Sequence, residues 1–185
     1  MLILYLLRFN LNIFYTLRDG RDASSLAYSL LGYIFNSIYG ETMPEIKKTP
    51  NGKPYFPSLP HIHFSLSHCA THVLCVVSDF PVGCDIESPR NISESAIRYF
   101  CSPEEALQFD PLDLWVLKES YIKLIGGRLP LVNSIRFTIE KGVIITPEKL
   151  STSKLYRIDD CSAAVSTFGG YLPDSANHIH GSNDP

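Results

Sequence analysis

Asp85 and Glu87 close the hexapeptide VGCDIE (residues 82–87), and Glu119 and Lys123 stand in WVLKESYIK (residues 115–123). Alternate residues of a strand share a face, so the first two carboxylates form a like-charged pair that calls for a cation between them. On a helix, Glu119 and Lys123 lie side by side at i and i+4. Three hard oxygen ligands without a cysteine or histidine among them suit Mg²⁺ rather than zinc, and Mg²⁺ usually bridges to phosphate. Lys118 and Lys123 are at hand to hold that phosphate. Ser67 and His68, which end HFSLSH (residues 63–68), can donate to phosphate oxygens, and Lys53 follows a glycine on the stiff loop NGKPYF (residues 51–56). Each piece alone has a plainer reading: a strand entering solvent, a turn, a surface lysine, or an amphipathic helix with an exposed ion pair worth ~0.3–0.5 kcal/mol. Together they point to metal-assisted chemistry on a phosphate.

The elements that must carry these residues follow from periodicity. Residues 22–39 read as a helix with apolar positions at 3,4 spacing, capped by Asp22 and ended by Gly40. Residues 47–60 form a turn-rich loop, and 72–77 and 82–87 are strands joined by a hairpin or a tight crossing. A short helix over 93–100 offers a Glu94–Arg98 pair. SPEE (residues 102–105) is a capping box with Glu105 at its third position, and DPLD (residues 110–113) opens a helix that Gly126-Gly127 stops. On that helix Leu114, Leu117, Tyr121, Leu124 and Ile125 form an apolar stripe, and Lys118 falls inside the arc, where a cation needs a partner. Strands are expected over 134–139, 142–146 and 162–168, and the polar stretch 171–185, with His178 and His180, reads as a frayed tail.

The 185-residue chain carries a net charge of −3 with 45% hydrophobic residues, which gives no general affinity for nucleic acid. Five scattered cysteines without a CxxC pattern argue for a reducing, cytoplasmic setting. The opening MLILYLL is short, lacks a basic flank and reads as a first strand, and no stretch is long enough to span a membrane. The order of elements suggests an α+β fold of two similar halves, residues 1–80 and 81–170, the second with the metal site.

GKP (52–54), FSLSH (64–68), VGCDIE (82–87), FCSPEE (100–105) and WVLKESYIK (115–123), continued by GGRLPL (126–131), resemble the 4′-phosphopantetheinyl transferases of the surfactin-synthetase-activating type. The resemblance implies a pseudo-twofold pair of α+β halves with coenzyme A in the cleft between them. It implies transfer of the phosphopantetheine arm to a serine of an apo acyl or peptidyl carrier protein, with release of 3′,5′-ADP. Asp85, Glu87 and Glu119 would hold Mg²⁺, for which Mn²⁺ can substitute. Lys123 would contact the pyrophosphate, and Lys53, Ser67 and His68 the nucleotide's phosphates. Glu105 would be a base or water-orienting group, Lys118 a phosphate or structural partner, and Trp115 would pack beneath the site. Arg18 and Arg21, the basic residues before the first helix, would hold the ribose 3′-phosphate of coenzyme A, where the family usually has more basic residues and an Arg inside the first turn; Ser24 and Ser25 stand in that turn here. Cys69 stands where the family often has serine. Residues 88–100, with Arg90, Ile97 and Arg98, offer a lip for the carrier, and one chain carries both halves of the site, so a monomer suffices. The alternatives are a non-catalytic module binding coenzyme A or a carrier, and a metal-dependent phosphohydrolase.

Overall fold

The computed structural model describes residues 11–179, which form a mixed α+β fold. In chain order the elements are β1 (Asn12–Leu17), α1 (Ala23–Tyr39), β2 (Lys47–Lys48), β3 (Pro54–Tyr55), β4 (His63–His68), β5 (His72–Ser78) and β6 (Val82–Glu87). There follow α2 (Glu94–Phe100), α3 (Pro103–Ala106), α4 (Pro111–Ile125), a 3₁₀ turn (Leu129–Asn133), β7 (Thr138–Glu140), β8 (Val143–Ile145), β9 (Thr152–Ile158), β10 (Cys161–Thr167) and β11 (Asn177–His178). One sheet has the order β11-β1-β5-β4 and a second the order β6-β10-β9. The stretch expected as a first strand, residues 1–7, lies outside the described residues, as does His180.

Strand parity sorts the side chains into layers. On β5, Val73, Cys75 and Val77 pack under α1, while Leu74 and Val76 face the other way. That second face meets Val82, Cys84 and Ile86 of β6 and Cys161, Ala163 and Val165 of β10. The far side of the second sheet is covered by α4, through Leu114, Val116, Leu117, Tyr121 and Leu124. The order is therefore helix, sheet, sheet, helix, and β5 and β10 are buried along their whole lengths. Since Val82, Cys84 and Ile86 point into the middle, Gly83, Asp85 and Glu87 must face α4.

Both long helices start and stop as their sequences predict. Asp22 accepts the Ser25 amide, Asp110 accepts that of Leu112, and Gly40 and Gly126 close the two helices in the left-handed region. β5 and β6 do not pair. Asp79–Pro81 is a tight crossing from one sheet to the other, not a hairpin.

The first strand within the described residues, NIFYTL, pairs antiparallel with β5. Two expectations need correction. Of residues 134–139, only the end is a strand: Ile135 and Phe137 are buried beneath α4, and the Phe137 amide donates to Glu105 Oε1, not to a ladder. Residues 171–179 are no frayed tail. Leu172 is buried, Tyr156 donates to the Pro173 carbonyl, and β11 runs parallel to β1, with His178 stacked on Tyr15 at 4.7 Å between ring centres.

Gly83 sets the distance between β6 and α4. A Cβ there would lie 2.1 Å from the Ser120 carbonyl oxygen and 2.3 Å from the Leu124 amide nitrogen, both backbone atoms that cannot turn aside. Small residues complete this seam: the Ser120 hydroxyl meets that of Ser166 at 2.8 Å, and Ala164 lies fully buried. Gly83→Ala must push the helix off the strand. Urea denaturation is expected to show a loss of about 3 kcal/mol, the upper end for forcing atoms into a packed interior. A loss below about 0.5 kcal/mol, the scatter of surface substitutions, would refute this close approach.

Candidate active site

The two sheets meet where β4 lies beside β6, and side chains replace ladder bonds there. Phe64 packs on the α1 side, which turns Ser65 and Ser67 toward β6. Ser65 Oγ accepts the Cys84 amide at 3.0 Å, and Ser67 Oγ donates to Asp85 Oδ1 at 2.7 Å. From α4, Lys123 Nζ donates to the same Asp85 oxygen at 2.8 Å and to Ser67 Oγ at 2.9 Å. Ser67, Asp85 and Lys123, all selected from the sequence, thus form one hydrogen-bonded cluster. Burial works against the Lys123 charge, but Asp85 and its neighbours outweigh it and hold the ammonium pKa above its ordinary value.

The cluster is rich in negative charge. Glu119 stands one helical turn before Lys123, and its carboxyl is pushed above the usual range by burial first and then by Asp85, with Lys123 opposing and Glu87 adding to the push. Glu87 Oε1 accepts from Trp115 Nε1 at 3.2 Å and from Arg90 at 3.3 Å, and the Arg90 guanidinium lies 6.0 Å from the centre of the Trp115 ring. Trp115 therefore does more than pack: it orients one of the carboxylates.

A divalent cation fits this set. Asp85 Oδ2 is buried and has no hydrogen-bond partner, a state in which an anionic oxygen needs a counter-charge. The donors are all carboxylate oxygens, the chemistry of Mg²⁺. Among the described residues, one oxygen from each of the three does not fall within 4.8 Å of the other two, so the carboxylates do not form a closed cage.

A cavity of about 210 Å³ opens beside the cluster, lined by Asn51, Gly52, Lys53, Ser65, Lys123 and Gly127 among others. Asn51 ties its two walls together, donating to the Gly126 carbonyl at 2.9 Å and accepting from Arg128 Nε at 3.1 Å. Lys53 lines the cavity, but its Nζ is not a free phosphate donor: it is bound to the carbonyls of Leu124 at 2.7 Å and Val82 at 3.1 Å. It caps the end of α4 and joins it to β6. Burial pushes its pKa down to about 8.

Two expected site residues lie elsewhere. Lys118 and Glu105 form a wholly buried pair at 2.9 Å on the far side of α4. Lys118 also donates to the Phe100 carbonyl, and burial holds its pKa below the ordinary value, with Glu105 opposing. Glu105 Oε2 accepts from Ser102 N and Lys118, and Oε1 from Phe137 N. Both Glu105 oxygens and the Lys118 ammonium are thus engaged within the fold and out of solvent, which gives the pair a structural role. Arg18, also expected to hold phosphate, is turned toward the carbonyls of Cys69 and Arg21 at 3.0 and 3.3 Å, and Arg21 lies 3.7 Å from Asp19. His68 is exposed at the end of β4.

No family model matches the chain. Curated proteins do. The chain is 39% identical over 90 residues to a 4′-phosphopantetheinyl transferase of Bacillus subtilis, covering 43% of this chain and 40% of that protein. It is 35% identical over 109 residues to the transferase psf-1 of Bacillus pumilus, covering 52% and 47% respectively. To the transferase Sfp of Bacillus subtilis strain 168 it is 40% identical over 90 residues, covering 43% and 40%. Over about half its length the chain is similar to these 4′-phosphopantetheinyl transferases. It spans less than half the length of these relatives. No helix among its described residues is long and apolar enough to cross a membrane.

Two measurements check the roles of Lys118 and Lys53. Lys118→Met strands the Glu105 carboxylate in the interior, and thermal or urea unfolding is expected to show a loss of about 3–5 kcal/mol. A stability equal to the parent's would mean that the pair is not buried. The Lys53 pKa is lower folded than unfolded, so between about 8 and 10.5 the unfolded chain binds more protons. Stability should therefore rise with pH across that window relative to Lys53→Met, and run parallel to it below pH 8. Parallel curves throughout would show Lys53 to be solvated.

Proposed function

We propose that the chain transfers the 4′-phosphopantetheine arm of coenzyme A to a serine hydroxyl of an apo carrier protein, releasing 3′,5′-ADP, with the pseudo-twofold arrangement of halves that such a cleft requires. The observation that carries this reading is the Ser67–Asp85–Lys123 cluster with its orphaned Asp85 oxygen, set beside a cleft and flanked by Glu87 and Glu119. Asp85, Glu87 and Glu119 hold Mg²⁺, which when bound neutralises charge on the pyrophosphate oxygens.

Phosphoryl transfer asks mainly for positioning and charge balance. Lys123, fixed by Asp85 and Ser67, presents its ammonium to the pyrophosphate. Ser67 and His68 mark the nucleotide side, at the end of β4 and beside the start of α1. A carboxylate of this set takes the proton of the carrier serine, directly or through a water. Trp115 keeps Glu87 aimed. Tyr99 and Arg98 on α2 are exposed and offer a mixed apolar and basic lip for an acidic carrier.

The test mixes the protein with coenzyme A, Mg²⁺ and an apo carrier protein and reads the carrier's intact mass. A gain of one phosphopantetheine is expected, and Glu119→Gln should slow it by about 100-fold or more. An unchanged carrier, in a mixture where a Bacillus transferase modifies it, would falsify the proposal. Calorimetry separates a mere binding module: coenzyme A binding indifferent to Mg²⁺ and to Glu119→Gln would mark one.

A further inference from the structure

A second cluster of ligand-type side chains lies at the other end of the seam between the sheets, and the proposed reaction does not use it. Cys69 follows β4, His72 opens β5 and Cys161 opens β10. One ligand atom from each falls within 4.8 Å of the others, and all three residues are buried. The hairpin turn that carries Cys69 and His72 is closed by the Cys69 amide on the His72 carbonyl at 2.9 Å. Cys161 arrives from the second sheet, after the β9–β10 turn at Asp159 and Asp160.

The spacing is informative. With zinc–sulfur bonds of about 2.3 Å and zinc–nitrogen bonds of about 2.0–2.1 Å, tetrahedral ligands stand about 3.8 Å apart for two sulfurs and about 3.5–3.6 Å for sulfur and nitrogen. The two sulfurs here are 3.7 Å apart, and Cys161 Sγ is 3.5 Å from His72 Nδ1. Thr71 Oγ1 lies beside them, in a hydrogen bond of 2.8 Å with Nδ1 and 3.5 and 3.7 Å from the sulfurs. The imidazole is also set for ligation. Its Nε2 lies 2.9 Å from Asp159 Oδ2, so that the carboxylate fixes the proton there and leaves Nδ1 a lone-pair donor on the side of the sulfurs, where it now accepts the Thr71 hydroxyl and would exchange that hydrogen bond for the metal. A carboxylate behind the distal nitrogen is the usual support of a metal-bound histidine.

We propose that Cys69, His72 and Cys161 bind a zinc ion, with an oxygen in the fourth position, distinct from the carboxylate site. Binding releases the two thiol protons to solvent and leaves two thiolates and a neutral imidazole as ligands. The ion staples the β4–β5 turn of one sheet to β10 of the other, one residue from His68. It acts as a structural pin for the nucleotide side of the cleft. Thiolate and imidazole donors select zinc over the Mg²⁺ that carboxylates prefer.

The test uses the full chain, purified in a reducing buffer and stripped with a chelator. Cobalt(II) added to it should produce the charge-transfer absorption of thiolate bound to cobalt, a signal that no carboxylate site can give. Zinc should bleach that signal and raise the melting temperature of the parent. Cys69→Ser and Cys161→Ser should each weaken or shift the band, their double variant should lack it, and Cys101→Ser should keep it. Asp159→Asn, which spares every ligand and sits on an exposed turn, should weaken cobalt binding about 10–100-fold. Absence of the band in the folded parent overturns the site, as does its persistence in the double variant. So does a Cys69–Cys161 disulfide recovered by mass from protein that takes up no metal under reduction.

Discussion

Helix α4 rests on strand β6 at a separation that admits no side chain, and the chemistry of the cleft is a consequence of that contact. Where the Ser120 carbonyl and the Leu124 amide crowd Gly83, the next two outward positions of the strand, Asp85 and Glu87, are brought under the helix face that bears Glu119 and Lys123. A helix one side chain farther away would leave Lys123 short of Asp85. The serines of β4 act from the other side, since their short hydroxyls let β4 lie beside β6 without forming a ladder with it. Charge and packing are thus one arrangement: the glycine permits the approach, and the approach concentrates the carboxylates.

Two lysines on one helix show how position decides the use of the same side chain. Lys118 is sealed in the interior, where an unpaired ammonium costs several kcal/mol, and it is matched there by Glu105 and a backbone carbonyl. Glu105 in turn serves a capping box, a strand-like amide and the lysine, which makes it a hub of the fold. Lys123 stays about one-third exposed, is shared with an acidic surplus, and keeps room for a further anion. The sequence marked both lysines as cations near a phosphate. Burial alone separates them, and burial depends on which flank of the helix the 3₁₀ turn and Phe137 come to cover.

Much of the site could be read from residue order because its parts are local patterns. The i, i+2 carboxylates of β6, the i, i+4 pair on α4, both helix caps and the capping box are each fixed by neighbours along the chain. What could not be read depended on partners far away. Lys53 looked like a solvated loop lysine or a phosphate ligand, yet it holds carbonyls 29 and 71 positions away. Ser65, Gly83 and Ser120 carry no chemical signature of their own, because their role is to be small at one point of contact. Strand β1 was overlooked beside the more apolar run before it, and β9, in the mixed stretch TSKLYRI, showed no alternation strong enough to declare itself. Cys69 and Cys161 lie 92 positions apart and satisfied no spacing rule, so only the tertiary structure sets them side by side.

The two residues of β11 have an importance out of proportion to their length. They lie along the outer side of β1, where the Ile179 amide donates to the Tyr15 carbonyl at 2.9 Å and the Asn177 side-chain amide donates to the Ile13 carbonyl at 3.2 Å. Without them the outermost strand of that sheet would present bare amides and carbonyls to solution, a template on which a second chain can add a strand. A purification tag or a shortened variant that pulls this segment away would thus be expected to self-associate, and its loss of yield would say nothing about the cleft.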